Sequence, residues 1–187
     1  MKKKQTKALL YSLVAVMAIF LAACGKQSQS KSNESASFKN EPTTSQTSDV
    51  KSTVLKGDGF WYLAGSINGK SNSGMEAIAF DSDTGKATMY NVDKYYMSYG
   101  NAQKANALNK EGTVNYSFKQ NDNNQTVIKL SGKMSGVPFD ETLTVKTKTH
   151  GKNKDKTLNI SGYKAVRDVD ADKTNIVFVR ASAPKTK

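Results

Sequence analysis

The sequence predicts an all-β domain, an antiparallel meander of about eight short strands closed into a small barrel, with a two-sheet sandwich as the alternative. Two observations predict it. Apolar and polar residues alternate with period two over most of residues 53–183, the pattern of strands with one buried face. Clusters of Asp, Asn, Ser and Gly break the alternating segments at short intervals, and three prolines in 187 residues leave nearly every strand N–H free to pair.

In chain order, strands are expected near residues 60–64, 75–80 and 86–92, with the turn Asp81-Ser82-Asp83-Thr84-Gly85 between the last two. Residues 96–108 are ambiguous, because Ala102, Ala105 and Leu108 allow a short helix. Val114, Tyr116 and Phe118 then share a face, as do Ile128 and Leu130, with the turn Asn121–Asn124 between them. Val137, Phe139, Leu143 and Val145 form the next apolar row; a turn at His150-Gly151-Lys152-Asn153 leads to Leu158 and Ile160, and Ile176 and Phe178 end the series. Some 130 residues suit a single domain, and no internal repeat divides them.

Four short segments resemble the lipocalin-like (calycin) family over roughly residues 57 to 181. Gly59-Phe60-Trp61 is similar to that family's Gly-x-Trp first strand, and Phe178-Val179-Arg180 to its late strand. Phe80–Thr88 and Gly112–Tyr116 resemble strands between them. The resemblance implies a barrel in which Arg180 packs across Trp61. Alternation places Arg180 on the face of Ile176 and Phe178, where an inward cation needs a partner or an aromatic ring. The alternative is an arginine snorkelling to solvent at a strand end.

The N-terminus carries an address. Lys2, Lys3, Lys4 and Lys7 precede an apolar run of 16 residues, Ala8 to Ala23. This is the order of a secretory signal, and it is shorter than the roughly 20 residues a spanning helix needs. Leu21-Ala22-Ala23-Cys24 resembles the lipobox of bacterial lipoproteins. That resemblance implies cleavage between Ala23 and Cys24 and a diacylglyceryl group on the Cys24 thiol, which places the mature chain on the extracytoplasmic face of the cell membrane. Cys24 is the only cysteine, so an internal disulfide is excluded. Residues 24–52 are rich in Ser, Thr, Gln, Asn and Lys, and are expected to form a disordered tether with a reach of roughly 25–30 Å. Residues 184–187 are expected to form a disordered tail.

Removing the signal and its four lysines leaves 24 basic against 16 acidic side chains, a net charge of +8. An exported, anchored location argues against nucleic acid as the counterpart and favours anionic lipid or wall polymer, with a merely solvated surface as the plain alternative. Lys146, Lys148, Lys152, Lys154 and Lys156, with His150, recur at every second position across a hairpin tip. They suit a polyanion or an edge guarded against aggregation. Glu141 interrupts the apolar row of its strand and either lines a cavity, pairs with Arg180, or is turned outward by a bulge after Pro138. Tyr95, Tyr96 and Tyr99 either touch an apolar ligand at the barrel mouth or pack on its rim. Asp168, Asp170 and Asp172 open like a calcium loop, but Lys173 and Val179 stand where its glycine and closing glutamate belong, so no metal is expected.

His150 is the only histidine, and no nucleophile elbow or phosphate-binding glycine loop is present. The sequence therefore points to a monomeric, non-enzymatic lipoprotein without cofactor that binds a small apolar or amphipathic ligand. The alternative is a surface interaction protein, acting in bacteriocin immunity, phage exclusion or attachment to wall polymer.

Overall fold

A computed structural model describes residues 44–68 and 74–185. The alternating segments form strands β1 (Phe60–Ala64), β2 (Met75–Asp81), β3 (Lys86–Val92), β4 (Asn109–Gln120), β5 (Thr126–Met134), β6 (Val137–Lys152), β7 (Asn159–Val169) and β8 (Asp172–Ser182). Helix α1 (Thr44–Leu55) precedes β1, and helix α2 (Tyr99–Lys104) lies between β3 and β4. Each strand pairs antiparallel with the next, and β8 returns to β1 to close an eight-stranded barrel. The closing seam is short: Tyr62, Leu63 and Ala64 face Val179, Phe178 and Val177. Closure removes the free edges a sandwich would keep, and the sandwich alternative is set aside.

The pleat sorts the side chains into two apolar groups. Trp61, Leu63, Ile78, Phe80, Met89, Val114, Ile128, Leu130, Leu143, Val145, Tyr163 and Phe178 draw on all eight strands and pack on one another, so they fill the barrel interior. Each is at most 5% exposed. The second group, centred on Phe60, Tyr62, Tyr90, Val92, Ile160 and Val179, lies on the outer face of β1–β3, β7 and β8. The β3–β4 connection covers it. Ser98 caps α2 by accepting from the Asn101 N–H at 3.2 Å, and α2 buries Ala102 in this layer.

Residues 44–52 differ from the expected tether. They form most of α1, which turns Val50 and Val54 into the interior at one end of the barrel. Ser, Thr and Val are weak helix formers, so packing rather than propensity holds this helix. Its composition conceals the fact that Thr47, Val50 and Val54 share one face. The indole N–H of Trp61 donates to the Val54 carbonyl at 2.8 Å, and the hydroxyl of Thr126, at the start of β5, donates to that of Thr47 at 3.3 Å. Gly59 fits the chain into β1. Its φ is +59°, and a Cβ there would lie 2.4 Å from the Phe80 carbonyl oxygen.

One hairpin also differs from the expectation. His150, Gly151 and Lys152 continue β6, and the turn runs from Asn153, whose side chain accepts from the Leu158 N–H at 2.8 Å. Asp170 and Ala171, both with positive φ, form the tight β7–β8 turn, and Asp168 and Asp172 lie in the strands on either side of it. The signal sequence, Ala23 and Cys24 lie outside the described residues. Among the described residues, no helix is long and apolar enough to cross a membrane.

Candidate functional site

Glu141 faces inward and is 0% exposed. Residues Val137 to Thr144 pair with β5 without a shift, so no bulge follows Pro138. Its partner is Arg167 of β7, not Arg180. The guanidinium meets Glu141 through Nε to Oε1 and Nη2 to Oε2, both at 2.9 Å, and its Nη1 donates to Glu76 of β2. The Nε–Oε1 contact lacks the alignment of a hydrogen bond, so attraction rather than direction holds that side of the pair. Burial is the main force raising the Glu141 pKa; Arg167 opposes the rise, and the Glu76 charge adds to it. Burial works against the charge on Arg167, but the two carboxylates outweigh it and keep the guanidinium protonated. Two carboxylates around one cation form a polar brace across β2, β6 and β7, fully buried at Glu141 and partly exposed at Glu76.

The tyrosines do not reach the mouth of the barrel. Tyr95 is buried in the outer layer, ring to ring with Tyr62 at 4.9 Å, and burial pushes its phenol up to about 12. The Tyr62 hydroxyl accepts from the Tyr96 N–H at 2.6 Å and donates to the Tyr96 carbonyl at 2.9 Å. Tyr99 stacks edgewise on Phe60 at 5.7 Å, and its N–H donates to Asp58 at 2.6 Å. All three tyrosines fasten the covering segment to the barrel wall.

The basic hairpin is divided by a feature the alternation did not reveal. The pairing of β6 with β7 shifts between Val145 and Thr147, which makes Lys146 an extra residue in the ladder. Lys146 lines an outer groove with Lys164, Asn175 and Ile176. Beyond the bulge, Lys148, His150 and Lys152 take the registers opposite Tyr163, Ser161 and Asn159, the inward-facing row of β7. Lys146 and Lys148 therefore serve different surfaces. Lys156 sits in the β6–β7 turn with a φ of +57°, and Lys154 lies in the same turn.

That register builds a cleft at the end of the barrel that α1 covers. Its volume is about 310 Å³, and Thr53, Trp61, Lys148, Thr149, His150, Ser161, Gly162, Tyr163 and Arg180 line it. Two cross-strand rows supply the wall. His150, Ser161 and Arg180 stand opposite one another across β6, β7 and β8, as do Lys148, Tyr163 and Phe178. Behind them Trp61 lies nearly parallel to Phe178 at 4.7 Å and to Tyr163 at 6.1 Å. Arg180 stands over Trp61 with its guanidinium carbon 5.7 Å from the ring centroid, and it donates to the Lys56 carbonyl at 3.3 Å. The arginine and tryptophan that the lipocalin-like motifs paired are thus together at the cleft.

No carboxylate lines this cleft, and among the described residues neither Lys148 nor Arg180 forms an ion pair. An aromatic floor with unneutralised cations at its rim suits a ligand with an apolar part and an anionic group. Among the described residues, no group of three or more His, Cys, Asp or Glu side chains is placed to hold a metal ion. Comparison with protein families, curated proteins and solved structures finds no match to this chain.

Sequence reasoning missed Arg167 and the cleft. The signal for Arg167 was present, since Tyr163, Ala165 and Arg167 alternate in the same way as the other inward rows. The cleft left no such signal, because it depends on a one-residue bulge and on α1.

Proposed function

We propose that this protein is a lipid-anchored, extracytoplasmic binding protein that works without catalysis and holds an amphipathic anion in the cleft beside α1. One observation carries the reading: Lys148 and Arg180 stand unneutralised around an aromatic floor in a cleft of about 310 Å³, the lower end of the size range of small-ligand sites. The packed interior turns the ligand away from the middle of the barrel, where a lipocalin-like carrier would hold it. Location rests on the lipobox-like Leu21-Ala22-Ala23-Cys24, and two acyl chains there would make a stable anchor.

The test is gentle extraction of the native protein from membranes, followed by mass spectrometry. The expected result is a diacylglyceryl mass on Cys24 and a co-purifying anionic amphiphile that disappears in Lys148→Glu. Unmodified Cys24 would sink the anchoring, and a ligand retained by Lys148→Glu would sink the cleft.

A second reading, attachment to an anionic wall polymer, draws on Lys152 and Lys156, which continue the positive charge from the cleft towards the hairpin tip. It predicts binding of polymer that weakens steeply with salt, because exposed charges act through a screening length of about 8 Å. Binding unchanged between low and high salt would exclude it.

A further inference from the structure

We infer that the anion held in the cleft is the headgroup of an anionic phospholipid in the protein's own membrane, so that the α1-covered end of the barrel rests on the bilayer. The inference depends on the proposed function above and names the ligand for that same cleft.

The argument begins with where the chain enters the fold. Helix α1 is the first described element. Its Thr47 is bonded to Thr126, its Thr53 lines the cleft, and Arg180 binds the Lys56 carbonyl just beyond its end. The segment that leads back to Cys24 therefore joins the barrel at the end that holds the cleft. Nineteen residues lie between Cys24 and Thr44. Even fully extended they span at most about 70 Å, so the bilayer is always within reach of this end. Proximity within that span gives a headgroup a high effective concentration and lets a weak site fill.

Chemistry points the same way. A phospholipid headgroup combines a phosphodiester anion with an apolar glycerol–acyl junction. Lys148 and Arg180 match the phosphate, Arg180 through the guanidinium N–H groups that its single bond to Lys56 leaves open. Ser161 and Thr53 offer hydroxyls beside them, and the Trp61–Tyr163 floor matches the apolar junction. Tryptophan and tyrosine favour this interfacial depth, with one apolar end and one wet. Lys152 and Lys156 then add attraction to neighbouring anionic lipids without entering the cleft.

Trp61 is the only tryptophan, so its emission reports occupancy without a label. The full-length acylated protein in neutral-detergent micelles is titrated with phosphatidylglycerol, with phosphatidylcholine, and separately with soluble glycerol phosphate. The expected result is a saturable emission change with phosphatidylglycerol alone. Each lysine near an anionic surface contributes a factor of about five. Lys148→Ala should thus weaken the response about fivefold, and the charge reversal Lys148→Glu about thirtyfold. Lys133→Glu, an exposed site in the β5–β6 region at the other end of the barrel, makes the same change in net charge and should leave the titration unaltered.

Equal weakening by Lys133→Glu would overturn the site and leave only a general field. A response to glycerol phosphate as strong as that to phosphatidylglycerol would overturn the membrane source. If neither lipid changes the emission, yet extraction shows another amphiphile lost in Lys148→Glu, the phospholipid inference fails while the cleft stands. If no amphiphile is found either, both fail together.

Discussion

Arg167 and Arg180 lie on the same inward face of neighbouring strands β7 and β8, yet they occupy opposite electrostatic surroundings. Arg167 is gripped by Glu141 and Glu76, with every ion pair directed into the barrel. Arg180 has an aromatic face and one backbone carbonyl, with no carboxylate partner among the described residues. Burying a cation costs several kcal/mol unless an anion lies beside it. The anion supplied to Arg167 marks a residue whose task is to hold strands together. Its omission beside Arg180, where solvent still reaches, leaves a cation with capacity to bind something else. The difference separates brace from site more reliably than charge alone.

The strongest way to break the comparison is to remove the cation of the brace. Arg167→Met leaves Glu141 buried opposite no charge, and should lower the unfolding free energy by about 3–5 kcal/mol. Denaturant unfolding followed by tyrosine and tryptophan fluorescence measures it. Adding Glu141→Leu to Arg167→Met should recover most of the loss, since an apolar pair of similar volume replaces the orphaned charge. If the double variant is no more stable than the single one, Arg167 stabilises by packing and the electrostatic account of the brace is wrong.

A smaller effect follows from the pKa of Glu141. Burial raises it above the ordinary 4.5, so between 4.5 and its folded value the folded state holds a proton that the unfolded state has released. Stability therefore falls as pH rises through that window, and the full cost persists above it. Below 4.5 both states are protonated, and the cost is gone. Thermal melts of the wild type should show Tm climbing as the pH is lowered through the window. Glu141→Gln should remove this component of the slope. An unchanged slope would assign the pH dependence to other groups.

Much of the barrel could be read from the chain because period-two alternation is a local property. Val114, Tyr116 and Phe118, or Ile176 and Phe178, declare their faces without reference to anything distant. Glu141 declared itself as an anomaly on such a row, while its partner had to be inferred across 26 residues, and Arg180 was the less correct of two inward arginines. The features that escaped depend on tertiary context. The Tyr95–Tyr99 segment covers an outer sheet face that looks like solvent-facing surface until the strap is in place. Helix α1 is built mostly from weak helix formers and exists because Val50 and Val54 have an interior to enter. The bulge at Lys146 shifts the later lysines by one position, and a one-residue shift reverses which face they serve.

Arg180 itself should be the weaker stabiliser of the two arginines. Arg180→Lys keeps the charge but loses the flat guanidinium over Trp61 and its bond to the Lys56 carbonyl, which closes the chain just after α1. A partly exposed cation–π contact is worth about 0.5–1 kcal/mol, so the unfolding midpoint should move by that amount and the fold should persist. Protection of the α1 amides in hydrogen exchange should fall more than protection of the barrel strands. A uniform loss across all strands would place Arg180 in the brace class after all.

The smallest stability effect belongs to Lys148, and its smallness gives it value. Its side chain is exposed and forms no ion pair among the described residues, so Lys148→Ala should change unfolding free energy by no more than about 0.5 kcal/mol. The same substitution should weaken anion binding in the cleft several-fold, because it deletes one of the charges aimed there without replacing it. Arg167 should show the reverse, with a large loss of stability and, where the fold survives, no direct contact with ligand to lose. Measured on both variants, stability and anion affinity should thus separate onto two arms. If Lys148→Ala instead costs as much stability as Arg167→Met, the lysine is braced by contacts of its own. The contrast between the two ends of the barrel would then collapse into a single charged scaffold.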